Sequence, residues 1–265
     1  MQHTAGPPRL TPGCHLYEGP DGVWRYYLPG DRFVRITAPA DLIGPAQRLL
    51  HGRPGTELPA GATELLTALD GQGILAAEEP APRRGRIQVH GDGPIAEQVT
   101  RLLSAAHDIV DPAAGLTADV DVVVCCAGWL PDSAWRTLDA TCAGLGVAWH
   151  GCYAEGTRWF AGPMAVPGLT AGYRDTRARR LGACGVPQEL LGYWSYLDRG
   201  EDLPPVPRPG PGVAAIVAGV LVADVEAFLR DGRPAASGRQ LEIDPADLSV
   251  TAHPVLPLPF PAGAA

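Results

Sequence analysis

The pattern of hydrophobic positions changes its period near residue 80 of the 265-residue chain. Before that point, three short runs rich in aromatic and β-branched residues lie within residues 14–37. They are separated by the turn signals GPDG and PGD, and they predict three strands. ADLIGPAQRLLHG and ATELLTALDGQGIL then place apolar residues at helical spacing. Three strands followed by helices predict a winged-helix-like domain over residues 1–80.

A linker rich in proline and charge at residues 76–85 precedes an α/β pattern. RIQVHG and DVDVVVCCAG are continuous apolar runs, which are typical of buried parallel strands. PIAEQVTRLLSAA and LPDSAWRTLDATCAGLG predict helices, VAWHGCYAEG predicts a strand, and RWFAGPMAVPG predicts a strand followed by a loop. The alternation predicts an α/β domain over residues 84–265 with a central, mainly parallel sheet.

The last third of the chain begins with a predicted flexible connection at residues 199–212. The longest apolar stretch follows at 213–230, and we expect a buried helix because charges interrupt it and it is short for a membrane span. GRQLEIDPADLSVTAHPVLPLPF predicts a terminal strand pair and a proline-rich tail. The first residues have no apolar run, so no secretion signal is expected.

Composition narrows the class of protein. A hydrophobic share of 46% is enough for a core, and a net charge of −8 argues against general nucleic-acid binding and favours a cytoplasmic protein. None of the six cysteines is spaced C-x-x-C, so reduced thiols are expected. Cys125 and Cys126 are predicted to be inert core residues. Cys152 follows a predicted strand and could be exposed, but no base that would activate its thiol is evident.

A glycine turn joins the first predicted strand of the α/β region to its first helix. Gly91, Gly93 and Ala96 form G-x-G-x-x-A, in which the glycines allow a tight turn and close approach of a phosphate. Asp92 opposes anion binding, whereas Asp111 lies about 20 residues on, where a dinucleotide enzyme carries its ribose-binding acid. The turn either binds a nucleotide or serves only the fold, and we favour the second interpretation.

Several segments together resemble a known family. They are VHGDGPIAEQVTRLL, DVDVVVCCAG, the region from CAGLGVAWHG to RDTRARR, and VTAHPVLPLPFP. This order resembles the ThiF/MoeB-type activating-enzyme fold of gene clusters for ribosomally synthesised, post-translationally modified peptides (RiPPs). Its most similar members are the ocin-ThiF-like, or TOMM leader-peptide-binding, cyclodehydratase partner proteins. The stretch Gly162–Tyr173 and the motif HPVLPLP are its most specific parts, and residues 1–80 resemble the RiPP recognition element in pattern.

The chain also departs from that family. The resemblance implies that Arg, Lys and Asp hold ATP and magnesium after the second strand, but DPAAGLTAD contains no Arg or Lys. The family's two C-x-x-C pairs, which bind structural zinc, are replaced by Gly172 and Asp175 and by the terminal FPAGAA. We therefore expect that the ATP and zinc sites are lost and that the glycine turn is a vestige.

The resemblance implies a non-catalytic scaffold. Such a protein binds a leader peptide and presents it to a YcaO-type cyclodehydratase, which forms azolines in azole and thiopeptide pathways. A peptide could add a strand beside the third predicted strand, with the following leucine-rich helix as the other wall. The predicted peptide-binding residues are Arg32, Phe33, Val34, Arg35, Ile36, Leu65, Leu66 and Leu69. The alternative is that the aliphatic residues form core and the arginines are solvated.

Two other functions stay open. One is an NAD(P)-dependent Rossmann-type oxidoreductase that uses Gly91, Gly93 and Asp111. The other is a winged-helix DNA-binding regulator, although the candidate recognition helix ATELLTALDGQG has no Lys or Arg. The sequence leaves open whether the protein forms a homodimer and whether the proline-rich tail is a partner-binding arm or a loose end. No membrane partner is expected.

Overall fold

The computed structural model describes residues 8–52, 60–76, 83–206 and 208–259. The chain folds as two units, Met1–Ala81 and Pro82–Ala265. The first unit is a three-stranded antiparallel sheet, in the order β1-β2-β3, followed by two helices. Its elements are β1 (His15–Glu18), β2 (Trp24–Leu28), β3 (Arg32–Arg35), α1 (Ala40–Leu50) and α2 (Ala62–Gly71). The predicted strands and helices of this region are confirmed, and the winged-helix arrangement stays a prediction.

The core of the first unit lies on one face of its sheet. Leu16 is opposite Tyr26, and Tyr26 is opposite Val34, so these three side chains share that face. Ile43 of α1 and Leu69 of α2 pack against them in the same buried cluster. The opposite face of the sheet is left to the polar and aromatic residues that alternate with this apolar set.

The second unit contains a seven-stranded sheet in the order β10-β9-β8-β7-β6-β4-β5. Within this sheet, the four strands that come first in sequence pair in parallel with one another, and the three that follow add to the sheet by antiparallel pairing. The strands are β4 (Arg86–His90), β5 (Asp108–Val110), β6 (Val122–Trp129), β7 (Ala148–Glu155), β8 (Arg158–Ala161), β9 (Arg239–Ile243) and β10 (Val250–Pro254). The α/β class is confirmed, but the sheet is mixed.

The prediction of a mainly parallel sheet is wrong because β7 and β8 form a hairpin. Glu155 pairs with Arg158, so only two residues connect the strands, and Gly156 takes a φ of 61° in that turn. So short a connection can join only antiparallel strands. The direction reversed there is kept by β9 and β10.

Five helices cover the two faces of this sheet. α3 (Pro94–Leu103) and α7 (Pro211–Asp231) pack on one face, whereas α4 (Asp132–Leu145), α5 (Tyr173–Ala183) and α6 (Pro187–Arg199) pack on the other. The pattern predicts α3, α4 and α7 but not α5 and α6. α5 carries four arginines in 11 residues, and this dilutes the apolar signal.

α7 is the core helix of the second unit. Among the residues that the structure describes, it alone is long and apolar enough to cross a membrane by length and composition. Nine of its described residues are buried, and seven of these, among them Val217 and Leu221, belong to the cluster that α7 shares with α3 and the sheet. The prediction of a buried helix is confirmed.

Candidate functional site

The open edge of the first sheet is formed by β3, which pairs only with β2 in the part of the chain that the structure describes. The Ile36 N–H donates to the Trp24 carbonyl, 2.8 Å away. Residues of an antiparallel strand alternate between facing the neighbouring strand and facing away. The backbone N–H and C=O groups of Phe33 and Arg35 therefore point away from β2. This edge can accept a further strand.

The outer face beside this edge is aromatic and cationic. Phe33 is 60% exposed, and its ring centroid lies 5.2 Å from that of Tyr27. The Tyr27 ring lies 6.1 Å from the His15 ring, so an aromatic row crosses all three strands. Arg35 is exposed on this same face, whereas Arg32, which is also exposed, alternates to the other face of β3. The face offers stacking surface and positive charge to an extended ligand.

A second arginine on this face is already paired. Arg25 of β2 lies opposite Arg35 and donates to both carboxylate oxygens of Asp21, at 2.7 and 2.5 Å. The hydrogen bond from Arg25 holds the pKa of Asp21 well below its usual range. Since Asp21 neutralises Arg25, the charge available to an acidic ligand on this face comes from Arg35.

The predicted aliphatic residues lie on the inner side of the first unit. Val34, Ile36, Leu65 and Leu66 are partly buried and pack against one core cluster. Leu69 is 4% exposed and belongs to that core, because α2 turns this residue inward. The structure thus gathers the aliphatic set in one cluster and leaves the two arginines and Phe33 outside it.

The glycine turn is explained largely by packing within the chain. Gly91 has a φ of 107°, and a Cβ atom there would lie 2.0 Å from the carbonyl oxygen of Cys126. Gly93 has a φ of 86° and precedes the first residue of α3, with open space around it. Ala96 is buried where α3 packs on the sheet. The turn needs glycine at position 91 even without a ligand.

A cavity of about 330 Å³ lies at the carboxyl end of the sheet. Its lining residues include Asp92, Pro94, Cys126, Trp159, Val206 and Arg208. Ligands of open α/β folds bind at this end of the strands, beside the turn that follows the first strand. The cavity is therefore the second place in the protein where a ligand could be held.

Residues 203–206, which we call the strap, pass over this end of the sheet. A Cβ atom on Gly128, near the end of β6, would lie 2.5 Å from Cγ2 of Val206. The Trp129 indole N–H donates to the Pro204 carbonyl at 2.9 Å. Leu203 packs with the core cluster on one face of the sheet, and Val206 packs with the cluster on the other. The prediction of a flexible connection is wrong here, because two apolar anchors and a hydrogen bond fix the strap.

Asp111 follows β5 at the end of the sheet where the spacing predicted it. One carboxylate oxygen accepts the Ala113 N–H at 2.9 Å and caps the 3₁₀ turn at 112–114. The side chain is exposed, and this capping hydrogen bond explains an aspartate at position 111 without any bound ribose.

Two buried thiols of the second unit, those of Cys125 and Cys152, are poor nucleophiles. Burial raises the pKa of Cys125 to about 12. A hydrogen bond with Cys126, together with burial, raises the pKa of Cys152 well above its ordinary value. The expectation that Cys152 could be exposed is wrong, because β7 continues for three residues beyond it and buries it completely. A protonated, buried thiol is a poor nucleophile.

A buried polar network between α4 and α5 was not evident from the sequence. The carboxylate of Asp132 is buried and accepts the Tyr173 hydroxyl at 2.7 Å and the Arg177 Nε–H at 2.8 Å. Asp139 accepts the backbone N–H of Tyr173 at 3.0 Å and the Trp149 indole N–H at 2.9 Å. The i, i+7 spacing of the two aspartates, which places them on one helix face, was the available signal.

This network gives the motif that ends at Tyr173 a structural role. Asp175 accepts the Gly172 N–H at 2.9 Å and the Leu258 N–H at 3.0 Å, so it also holds the tail after β10. Arg179 donates to the Leu256 carbonyl at 3.2 Å. Between residues 255 and 258, the tail is thus docked on α5 rather than loose.

His150 is buried and His90 is half-buried, and each lies close to a polar side chain of its own unit. His150 Nε2 lies 3.1 Å from Oδ2 of Asp224, and both side chains are buried between β7 and α7. Asp224 also accepts the Ala236 N–H at 2.6 Å. Burial lowers the pKa of His90, whose Nε2 lies 3.2 Å from the Gln88 side-chain oxygen. Over the described residues, no group of three or more His, Cys, Asp or Glu is placed to hold a metal ion.

No family model and no curated protein matches the chain, but solved structures match its fold. A heterocyclase in complex with substrate and cofactor aligns with a TM-score of 0.68 and 15% identity, over 95% of this chain and 39% of the heterocyclase. The heterocyclase TruD gives 0.69 and 13%, over 95% and 42%. E. coli MccB with ATP gives 0.62 and 11%, over 97% and 99%.

At these identities the likeness is one of fold. The chain spans about two fifths of the heterocyclase chains and nearly all of the MccB chain. These matches support the coarse part of the sequence resemblance, a fold used by proteins that include heterocyclases. The specific role of a cyclodehydratase partner stays a prediction. The protein is thus a mixed α/β chain. Its fold is similar to that of nearly the whole MccB chain and to that of about two fifths of each heterocyclase chain.

Proposed function

We propose that the chain binds the leader segment of a ribosomal precursor peptide along β3 and presents the peptide to a separate YcaO-type cyclodehydratase for azoline formation. The observation that carries this proposal is the open edge of β3, where the backbone groups of Phe33 and Arg35 face outward. A peptide that adds a strand there gains backbone hydrogen bonds, and its alternate side chains contact the aromatic row. Arg32 and Arg35 favour a leader with acidic residues.

The matched structures give this proposal its context. One heterocyclase contains a substrate, and one MccB structure contains MccA, with a TM-score of 0.61 and 11% identity over 96% of this chain. The match covers 39–42% of a heterocyclase, and we propose, as the family resemblance implies, that a YcaO-type partner enzyme carries out the cyclisation chemistry. Delivery by this chain then raises the effective concentration of the core peptide at that enzyme.

The test is fluorescence anisotropy with a labelled leader peptide from a precursor gene beside this one. We expect the double variant Phe33→Ala, Arg35→Glu to bind roughly 100-fold more weakly than the wild type, because it removes a stacking surface and reverses a charge. Arg48→Glu, on the exposed side of α1, is the control for charge reversal and should bind as the wild type does. Equal binding by the double variant, or no binding by folded wild type at high micromolar concentration, contradicts the proposal.

Under the same proposal, the second unit acts as a scaffold and binds no nucleotide. Val206 covers Gly128 at the end of β6, and Asp92 places a carboxylate beside the start of α3, so the lining sets one acidic residue against Arg208 and offers no cluster of cations for a phosphate. We expect no thermal shift with 1 mM Mg-ATP or NAD. A ligand with a Kd of about 10 μM would stabilise the fold by about 2.7 kcal/mol at that concentration. A shift of several degrees with NAD would favour the oxidoreductase alternative instead.

A further inference from the structure

The outer face of the first sheet carries two arginines at directly opposite positions. Arg25 of β2 pairs with Arg35 of β3, and Tyr17 of β1 lies on the other side of Arg25. Like charges at directly opposite positions of a sheet repel each other and destabilise the strand pair. The hydrogen bonds of the turn between β1 and β2 remove this conflict.

This turn holds the Arg25 guanidinium in one position. Nη1 donates to Oδ1 of Asp21 at 2.7 Å and to the Val23 carbonyl at 2.8 Å, and Nη2 donates to Oδ2 of Asp21 at 2.5 Å. Bidentate pairing with a carboxylate fixes the plane of a guanidinium as well as its position. The Arg25 side chain is only 15% exposed. It therefore extends to the turn rather than to the open edge of β3.

The turn is also shaped to receive this guanidinium. A Cβ atom on Gly19 would overlap Nη1 of Arg25, so the glycine leaves the space that the guanidinium fills. Oδ1 of Asp21 accepts the Val23 N–H at 3.2 Å, and the Gly19 N–H donates to the Val23 carbonyl at 3.0 Å. Aspartate bonds of this kind order a turn around the aspartate itself. The position of Arg25 is thus determined within the chain and needs no ligand.

Arg35 has no comparable restraint. It is exposed, and it has no ion-pair partner among the residues that the structure describes. Its backbone N–H and C=O face the open edge, so an added strand would place one of its own side chains directly beside Arg35 on the outer face. Of the two opposed arginines, one is neutralised and held at the turn, and the other is charged and accessible.

We propose that Asp21 determines the specificity of the peptide-binding edge, because it holds Arg25 at the turn and leaves Arg35 as the single cation that contacts the outer face of a bound peptide. The inference rests on the proposed function, since it concerns the same edge. A bound strand gains from one acidic side chain opposite Arg35, whereas its side chain opposite Phe33 meets aromatic rings. Without Asp21, both arginines would attract carboxylates, and the edge would favour peptides by their total negative charge.

The test uses two labelled peptides and the full chain. One peptide is the leader from the neighbouring precursor gene, and the other is the same leader with every Asp changed to Asn and every Glu to Gln. The ratio of their Kd values, from fluorescence anisotropy, measures how strongly binding depends on the charge of the peptide. For the wild type, we expect the amide peptide to bind roughly 2- to 5-fold more weakly, the scale of one exposed ion pair. Arg35→Gln should remove most of this difference.

Asp21→Asn releases Arg25 while its side-chain oxygen can still accept the Val23 N–H, so the turn is kept. We expect the ratio of Kd values to rise roughly a further 2- to 5-fold, because a second cation now faces the peptide. The double variant Asp21→Asn, Arg25→Gln removes the ion pair as a unit and is the matched control. It should restore the wild-type ratio. Unchanged melting curves by circular dichroism check that both variants are folded.

Failure of this inference is distinguishable from failure of the proposed function. If the folded wild type binds neither peptide at high micromolar concentration, both are overturned. If the wild type binds the leader but Asp21→Asn leaves the ratio unchanged, peptide binding stands and the role of Asp21 is wrong. The role of Asp21 is also wrong if the double variant keeps the increased ratio, because the increase then does not come from Arg25. A ratio that rises only when Arg25 is present supports the inference.

Discussion

Replacement of Asp224 by alanine is expected to lower the unfolding free energy of the second unit by about 2–5 kcal/mol, the usual scale when a buried carboxylate that contacts two buried polar groups is removed. Asp224 contacts His150 at 3.1 Å and accepts the Ala236 N–H at 2.6 Å, and both side chains of the pair are buried. The variant leaves His150 and that N–H without their partner. For a unit of this size, the melting temperature should fall by about 10 °C.

Asp224→Asn separates the two interactions. Its side-chain oxygen can still accept the Ala236 N–H, whereas the charge that faces His150 is lost. We therefore expect a smaller loss of stability than with alanine. Glu226→Ala, at an exposed position of the same helix, controls for helix propensity and should change stability by less than about 0.5 kcal/mol. If Asp224→Ala melts within 2 °C of the wild type, with that shift meaning about 1 kcal/mol or less, the pair has no structural importance.

The contribution of Asp224 should also depend on pH. Burial alone would raise its pKa, but the contact with His150 and the N–H groups of Ala235 and Ala236 outweigh burial, so the pKa is lowered. A carboxyl group with a lowered pKa in the folded state stabilises the fold above its ordinary value of 3.8. This stability is lost as the pH falls through the folded pKa. The difference in unfolding free energy between wild type and Asp224→Ala should therefore shrink in urea titrations below pH 3.8.

The second large effect is expected for Gly91→Ala, which should lower the free energy of unfolding of the second unit by about 2–5 kcal/mol. The added Cβ would meet the Cys126 carbonyl oxygen at 2.0 Å, and a φ of 107° is strained for any residue with a side chain. Gly93→Ala is the matched control, because its φ of 86° is also unfavourable but no atom lies within 4 Å of the added Cβ. It should cost only about 1–3 kcal/mol.

Chemical denaturation of both variants gives the comparison. A larger loss for Gly91→Ala supports the interpretation that this glycine is kept for the approach of β6 rather than for a phosphate. Equal losses in both variants would show that backbone strain alone determines the cost. The carbonyl contact would then have no role in requiring glycine at this position.

The sequence predicts most of this fold because most elements carry a clear period. The runs RIQVHG and DVDVVVCCAG are continuous and apolar, and both become strands of the parallel half of the sheet. The spacing of apolar residues does not reveal α5, because four of its 11 residues are arginines. Two of these arginines are held by ion pairs with residues that are distant in sequence. Arg180 pairs with Glu155 at 2.6 Å and Arg177 pairs with Asp132, and neither partner is near in sequence.

The candidate site shows a similar limit. The exposed position of Phe33 and the inward position of Val34 follow from strand alternation, which the sequence contains. The strap could not be predicted, because proline-rich composition indicates only the absence of a helix or strand. Its packing depends on the small residue Gly128 facing Val206, a contact between residues 78 positions apart. Long-range complementarity of this kind has no local signature.

The place of β9 in the sheet has a consequence for the order of folding. The hairpin of β7 and β8 closes over two residues, and β9 and β10 are joined by the six residues 244–249. By contrast, 77 residues separate Ala161 of β8 from Arg239 of β9, and they include α5, α6 and α7. Loop closure of that length is slow unless those helices have already packed. We therefore expect the β9–β10 hairpin to join the sheet last, so that the antiparallel half of the sheet is completed only after α5, α6 and α7 have packed.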